Sequence, residues 1–222
     1  MTASEDPQPE PTAAAGGVGA PVAAGEGRRR KQSWLARRVG PTAASAIEWA
    51  AVIGGAVLLA LVVKVFLLQA FYIPSESMFP TLSEDDRVLV NKMSYRIGDP
   101  DRGDIVVFDR PEGANVSDIS ELIKRIVGLP GEQIVIEGDH VFVDGRQLEE
   151  DYLPVGTATT TDESPYKCTR QDPCAVPEGY LWVMGDNRDD SQDSRWFGPI
   201  AEDTVVGRAF VVVWPLGRFE IL

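Results

Sequence analysis

Histidine is almost absent from these 222 residues: His140 is the only one. It stands in Glu137-Gly138-Asp139-His140, a turn-forming stretch, and is read as a solvated turn residue. A Ser-His-Asp site is therefore not expected, and any nucleophilic serine must find another base. Cysteine is nearly as scarce, with Cys168 and Cys174 alone. No histidine neighbours them, which argues against zinc. Six apart in a loop-like stretch with Pro173, they suit a local disulfide in an oxidising exported compartment, with two free thiols as the alternative. Residues 1–27 contain no aromatic side chain and are rich in Ala, Gly, Pro and Glu. Such a composition cannot bury enough apolar surface to offset the entropy of ordering, so residues 1–45 are expected to be a disordered tail. Positive charge is short as well: the net charge is −13, and it is uneven, +2 over residues 1–68 and −15 over residues 69–222. An acidic C-terminal part is a poor nucleic-acid binder and offers no basic surface of its own to lipid.

Long apolar runs are limited to one. Trp49 to Val63 is free of charge and, with Val65 to Leu68, is interrupted only by Lys64. About 20 such residues cross a hydrocarbon core of about 30 Å, and Lys64 near one end can snorkel. Residues 46–68 are thus expected to be a membrane anchor. Six basic residues between Arg28 and Arg38, with no acidic one, predict a cytoplasmic N-terminus and an exported C-terminal domain. A cleaved signal peptide would need small residues at −1 and −3, but Leu68 would hold −3 if the cut followed Ala70.

Beyond the anchor, short β-prone runs alternate with Gly, Pro and Asp turns: Arg87–Asn91, Asp104–Phe108, Leu122–Val127, Gln133–Glu137, Val141–Asp144, Tyr180–Met184 and Val205–Trp214. None has a helical period at helical length. The expectation for residues 69–222 is a mainly β domain, an antiparallel sandwich or barrel. Gly138-Asp139 reads as a hairpin turn. Residues 138–178 read as a smaller β and loop excursion that carries the cysteines.

Three stretches could carry chemistry. Tyr72–Leu82, YIPSESMFPTL, follows the anchor directly, and Pro74 and Pro80 restrict the backbone around Ser75 and Ser77. In Leu122-Ile123-Lys124-Arg125-Ile126-Val127 the period of two puts Lys124 on one face with Leu122 and Ile126. A lysine among apolar neighbours loses solvation of its ammonium, its pKa falls from about 10.4, and it can act as a base near neutral pH. Gly185–Pro199, GDNRDDSQDSRWFGP, is dense in acids. An EF-hand started at Asp189 would have Ser194 instead of Gly at its sixth position and Ile200 instead of Glu at its twelfth, so that pattern fails. Pairing of Asp186 and Asp193 with Arg188 and Arg195 would instead fix the loop and aim a hydroxyl such as Ser191. Ser164-Pro165-Tyr166-Lys167 matches S-x-x-K, but without K-T-G it is a chance match.

Together these segments resemble bacterial type I signal peptidases, the membrane-anchored Ser/Lys endopeptidases of protein export. The likeness covers roughly residues 46–222 and four segments in the family's order: YIPSESMFPTL, RGDIVVF (Arg102–Phe108), KRIVGLPGE (Lys124–Glu132) and GDNRDDSQDSRWFGP. The resemblance implies Ser77 as nucleophile and Lys124 as general base, with Ser75 joining the Ser77 backbone N–H as oxyanion donor. It implies that Ser191 orients the lysine amine and that Asp193 and Arg195 stiffen the loop. Ile73, Pro74, Met78, Leu82, Leu122 and Ile123 match an apolar wall that receives small substrate side chains at −1 and −3. Glu76 departs from a common glycine, and Leu122 from a tyrosine found in some members.

By this resemblance the substrates are exported preproteins with signal peptides, the domain works against membrane lipid on the extracytoplasmic side, and no cofactor or metal is needed. Oligomeric state is left open. Two other readings stand beside it: a Ser/Lys processing protease of narrower range, and an inactive anchored binding module. The presence of Ser75, Ser77, Lys124 and Ser191 together speaks against the last.

Overall fold

The computed structural model describes residues 41–114 and 119–222, without the side chains of residues 41–44 and 63–66. The expected disordered tail up to residue 40, its basic cluster and the Lys64 side chain lie outside the described residues. By its contacts the chain divides into residues 1–51 and 52–222.

Helix α1 runs from Pro41 to Phe66. Its 26 residues make a rod of about 39 Å. Proline stands only at its first position, where an unpaired N–H is expected anyway. Ser45–Val62 is long and apolar enough to cross a membrane. The helix begins before the anticipated anchor and ends two residues short of it, because Leu68 already belongs to a strand.

That strand, β1 (Leu68–Tyr72), was not foreseen. Its residues continue the apolar run, and only pairing with β2 (Arg87–Asn91), Leu68 opposite Asn91 through Tyr72 opposite Arg87, decides its conformation. Six further strands follow the sequence reading to within a residue or two: β3 (Ile105–Asp109), β4 (Glu121–Gly128), β5 (Gln133–Glu137), β6 (His140–Val143), β9 (Tyr180–Met184) and β11 (Val205–Trp214). Four two-residue strands have no counterpart in that reading: β7 (Arg146–Gln147), β8 (Cys174–Ala175), β10 (Ile200–Ala201) and β12 (Glu220–Ile221).

Among the described residues they form two antiparallel sheets, so the domain is mainly β behind one apolar helix. The larger sheet has the order β1-β2-β11-β3-β4-β9-β10, with β12 also on β11; the smaller has the order β7-β6-β5-β8. The Gly138-Asp139 turn joins β5 to β6, both residues at positive φ (57° and 66°), as a two-residue hairpin of right-handed twist requires. Cys168 and Cys174 are joined as a disulfide, and Cys174 belongs to β8.

Burial explains the sheet order. One apolar cluster gathers Ile73, Met78 and Leu82 from the serine segment against Val88, Val107 and Ile123 of the sheet. A second places Ile134 and Val141 of the small sheet against Trp182 and Met184 of β9. Gly128 permits that approach: a Cβ there would lie 2.7 Å from Ile134 Cδ1 and 2.9 Å from Trp182 Cβ. A third, with Val106, Phe108, Leu122 and Ile126, contains the two residues expected to share a face with Lys124. Strand β4 is buried along almost its whole length, so Lys124 and Arg125 within it must each find partners.

Candidate active site

Lys124 is 3% exposed, and its Nζ donates to Ser77 Oγ at 2.7 Å and to the Ile123 carbonyl at 2.9 Å. Burial favours the uncharged amine and lowers its pKa from 10.5 to about 8, against the opposing pull of the Asp193 and Asp186 carboxylates. Ser77 is half-buried. Its carbonyl accepts from Asn187 N at 3.1 Å, and the neighbouring Glu76 carbonyl accepts from Asn187 Nδ2 at 3.1 Å. Ser75 is exposed, with its Oγ 3.5 Å from Ser77 Oγ.

Asp186 ties these parts together. One of its oxygens accepts from Arg125 Nε at 2.9 Å; the other accepts from Arg125 Nη2 at 2.6 Å and from Thr81 Oγ1 at 2.6 Å. It therefore links the strand of Lys124 to the serine segment. Arg125 also donates to the Gly103 carbonyl and lies 4.0 Å from the Tyr152 ring centroid, a cation-π distance.

The pairing expected from sequence is half corrected. Asp193 does pair with Arg195, at 2.8 Å, and also accepts from Gly185 N. Burial pushes the Asp193 carboxyl up, but Arg195 and two backbone N–H donors outweigh it and hold the pKa below the usual range. Arg188, by contrast, pairs with Glu150 and not with Asp186. The strand partner Arg125 was the nearer guanidinium, and tertiary pairing is not legible in loop spacing. Arg195 further donates to the carbonyls of Arg188 and Thr160, so the loop is braced from within and from the excursion.

Ser191, expected to orient the lysine amine, has a buried Oγ with no partner among the described residues, and it does not bond Lys124. Two acceptors already occupy the amine. A Cβ on Gly185 would overlap both Ser191 Oγ and the Ser77 carbonyl, so only glycine fits between β9 and this pair. His140 lies exposed on its hairpin, away from these contacts.

Beside the serine and lysine runs a groove of about 280 Å³. Of the expected wall residues, Ile73, Pro74, Leu122 and Ile123 line it. Met78 and Leu82 do not: both are fully buried beneath it in the core, where they support Ile73. Sequence reasoning missed Thr81, Arg125, Glu150, Tyr152, Gly185 and Asn187. Only Arg125 carried a visible signal, a second charge within an apolar strand.

Residues 46–214 match the family described as signal peptidase, peptidase S26. A probable signal peptidase I-2 of Synechocystis is 39% identical over 168 residues, 75% of this chain and 72% of that one. Signal peptidase I T of Bacillus subtilis is 38% identical over 183 residues, 78% of this chain and 88% of its own. A crystal structure of a signal peptidase I from Enterococcus faecalis is 31% identical, covers 50% of this chain and 97% of that one, and has a TM-score of 0.39. The class is that of the serine endopeptidases, hydrolases that cut within a polypeptide chain. Within it, this chain belongs to the signal peptidase family, bacterial type I.

Proposed function

We propose that the protein removes signal peptides from exported preproteins with Ser77 as nucleophile and Lys124 as general base. The 2.7 Å contact between Ser77 Oγ and a buried amine of lowered pKa carries this reading. In its neutral form the amine accepts the Ser77 proton as Oγ attacks the scissile carbonyl. The Ser77 N–H and the Ser75 hydroxyl receive the oxyanion. The ammonium then protonates the leaving amine, and water, deprotonated by the same lysine, hydrolyses the acyl-enzyme. Ser191, buried and unpartnered, takes up the amine as Ser77 Oγ leaves it for the substrate. Asp193 and Arg195 hold the loop that carries Ser191.

The substrate side chains at −1 and −3 meet a wall of Ile73, Pro74, Leu122 and Ile123, which selects small residues by excluded volume. The peptide adds as a strand. Residues Glu121–Lys124 pair with β3 on one side, whereas β9 joins β4 only from Arg125 onward. Their other edge is open to an extended backbone.

We place the N-terminus in the cytoplasm, residues 1–45 as a tail, residues 46–68 as the anchor, and the catalytic domain of residues 69–222 outside, its cysteine-bearing excursion at about 138–178. Lipid contact near the site is supported by exposed Tyr72, Phe79, Trp214, Leu216, Phe219 and Ile221. Tyr72 and Trp214 flank Arg87 on adjoining strands. Incubation with a preprotein in detergent tests the assignment: wild type releases the mature protein, and Ser77→Ala and Lys124→Ala do not. Undiminished cleavage by either variant would remove the dyad.

A further inference from the structure

Among the described residues the groove has one carboxylate. Of the residues lining it, Glu121 alone is acidic, and the other charged group, Lys124, stands at the opposite end of the same strand segment. Glu121 makes no ion pair among the described residues. Its side chain accepts from the Ser120 hydroxyl, and its cross-strand partner is a second acid, Asp109. Nearby lining comes from Phe71, Tyr72 and Ile119, none of them cationic.

Strand directions tell which part of a bound peptide Glu121 meets. From β1 to β4 the sheet takes four antiparallel steps, through β2, β11 and β3, so β1 and β4 point the same way. The wall that continues from β1 ends at Ser77, which Lys124 of β4 contacts. Ser77 and Lys124 therefore share one end of the groove, and Phe71 and Ile119, earlier on the two walls, lie toward the other. Phe71 follows the last residue of α1, Phe66, by five positions. A peptide whose apolar segment lies in the bilayer enters by that end and reaches Ser77 with its cleavage site. Glu121 precedes Lys124 by three residues, about 10 Å of strand. With residue −1 level with Lys124, Glu121 stands beside residue −4.

We propose that Glu121 is a specificity-determining residue that favours a basic side chain, and disfavours an acidic one, at about position −4 of the substrate. This rests on the signal-peptide reading of the groove. An unpaired carboxylate in a partly desolvated groove attracts a cation and repels an anion, by an amount that salt reduces.

The test uses full-length protein in detergent and three synthetic signal-peptide substrates that differ only in Lys, Gln or Glu at −4, with kcat/KM measured at low and high salt. The Lys peptide is expected to exceed the Glu peptide by about fivefold at low salt, as a partly exposed ion pair allows, with the ratio shrinking at high salt. Glu121→Gln brings the ratio near one, and Glu121→Lys inverts it. Equal cleavage of all three peptides by wild type, or a preference that survives Glu121→Gln, overturns the inference while leaving signal-peptide cleavage intact. Failure of wild type to cut any of them overturns both. A preference that follows the charge at −2 or −6 instead of −4 overturns the placement.

Discussion

Lys124 Nζ and Ser77 Oγ, 47 residues apart in sequence, are 2.7 Å apart in the fold, and the amine is buried. Burial sets the direction of the pH response. Only the neutral amine can take the serine proton, and its fraction grows as pH rises through about 8. We expect kcat/KM to fall about tenfold per unit below that pH, with an acid limb well under the 10.4 of a free lysine. A limb at 10 would contradict the desolvated base.

The same group couples stability to pH. Between about 8 and 10.5 the unfolded chain binds a proton at Lys124 that the folded chain does not, so stability rises with pH across that window. Lys124→Met should flatten the rise, by up to about 1.4 kcal/mol per unit, in urea unfolding at matched pH values.

On the roles proposed above, Ser75→Ala removes one of two oxyanion donors. Because the oxyanion exists only near the transition state, kcat should drop by about 100-fold or more while KM changes little. A rise in KM at constant kcat would recast Ser75 as a residue that holds substrate.

Gly185→Ala would drive a methyl group into Ser191 and the Ser77 carbonyl. A stability loss of about 1–3 kcal/mol is expected, together with a fall in kcat. Gly217, with nothing within 4 Å of an added Cβ, provides the control: Gly217→Ala should leave both unchanged.

Asp186→Ala leaves Arg125 buried without its carboxylate and frees Thr81. Breaking such a pair costs about 3–5 kcal/mol, visible as a Tm lower by about 10 °C. Activity in the folded fraction should fall as well, since the serine segment and the lysine strand lose their common tie.

Which features the sequence disclosed follows from the range of the forces involved. Alternation of apolar and polar residues marked most strands, because side-chain period is a local property. Ser77 and Lys124 stood out because their own neighbours, prolines in one case and apolar residues in the other, already constrain them. Three features depended on distant partners. Leu68–Tyr72 becomes a strand only opposite Arg87–Asn91. Asp186 chooses Arg125 over Arg188 only once β4 and β9 are paired. Met78 and Leu82 look like pocket residues in a serine segment until the sheet closes over them. Tyr152 gave no sign of its role, since stacking on Arg125 needs the whole excursion to return to the larger sheet.

Asp186 reaches back 105 residues to Thr81, and this separation orders events in time. A ribosome delivers Ser77 first, Lys124 47 residues later, and Asp186, whose carboxylate is tied to both segments, 61 residues after Arg125. A chain made only as far as Ile123 holds Ser77 without Lys124. The tie that Asp186 makes between the serine segment and the lysine strand can therefore form only after both have been synthesised.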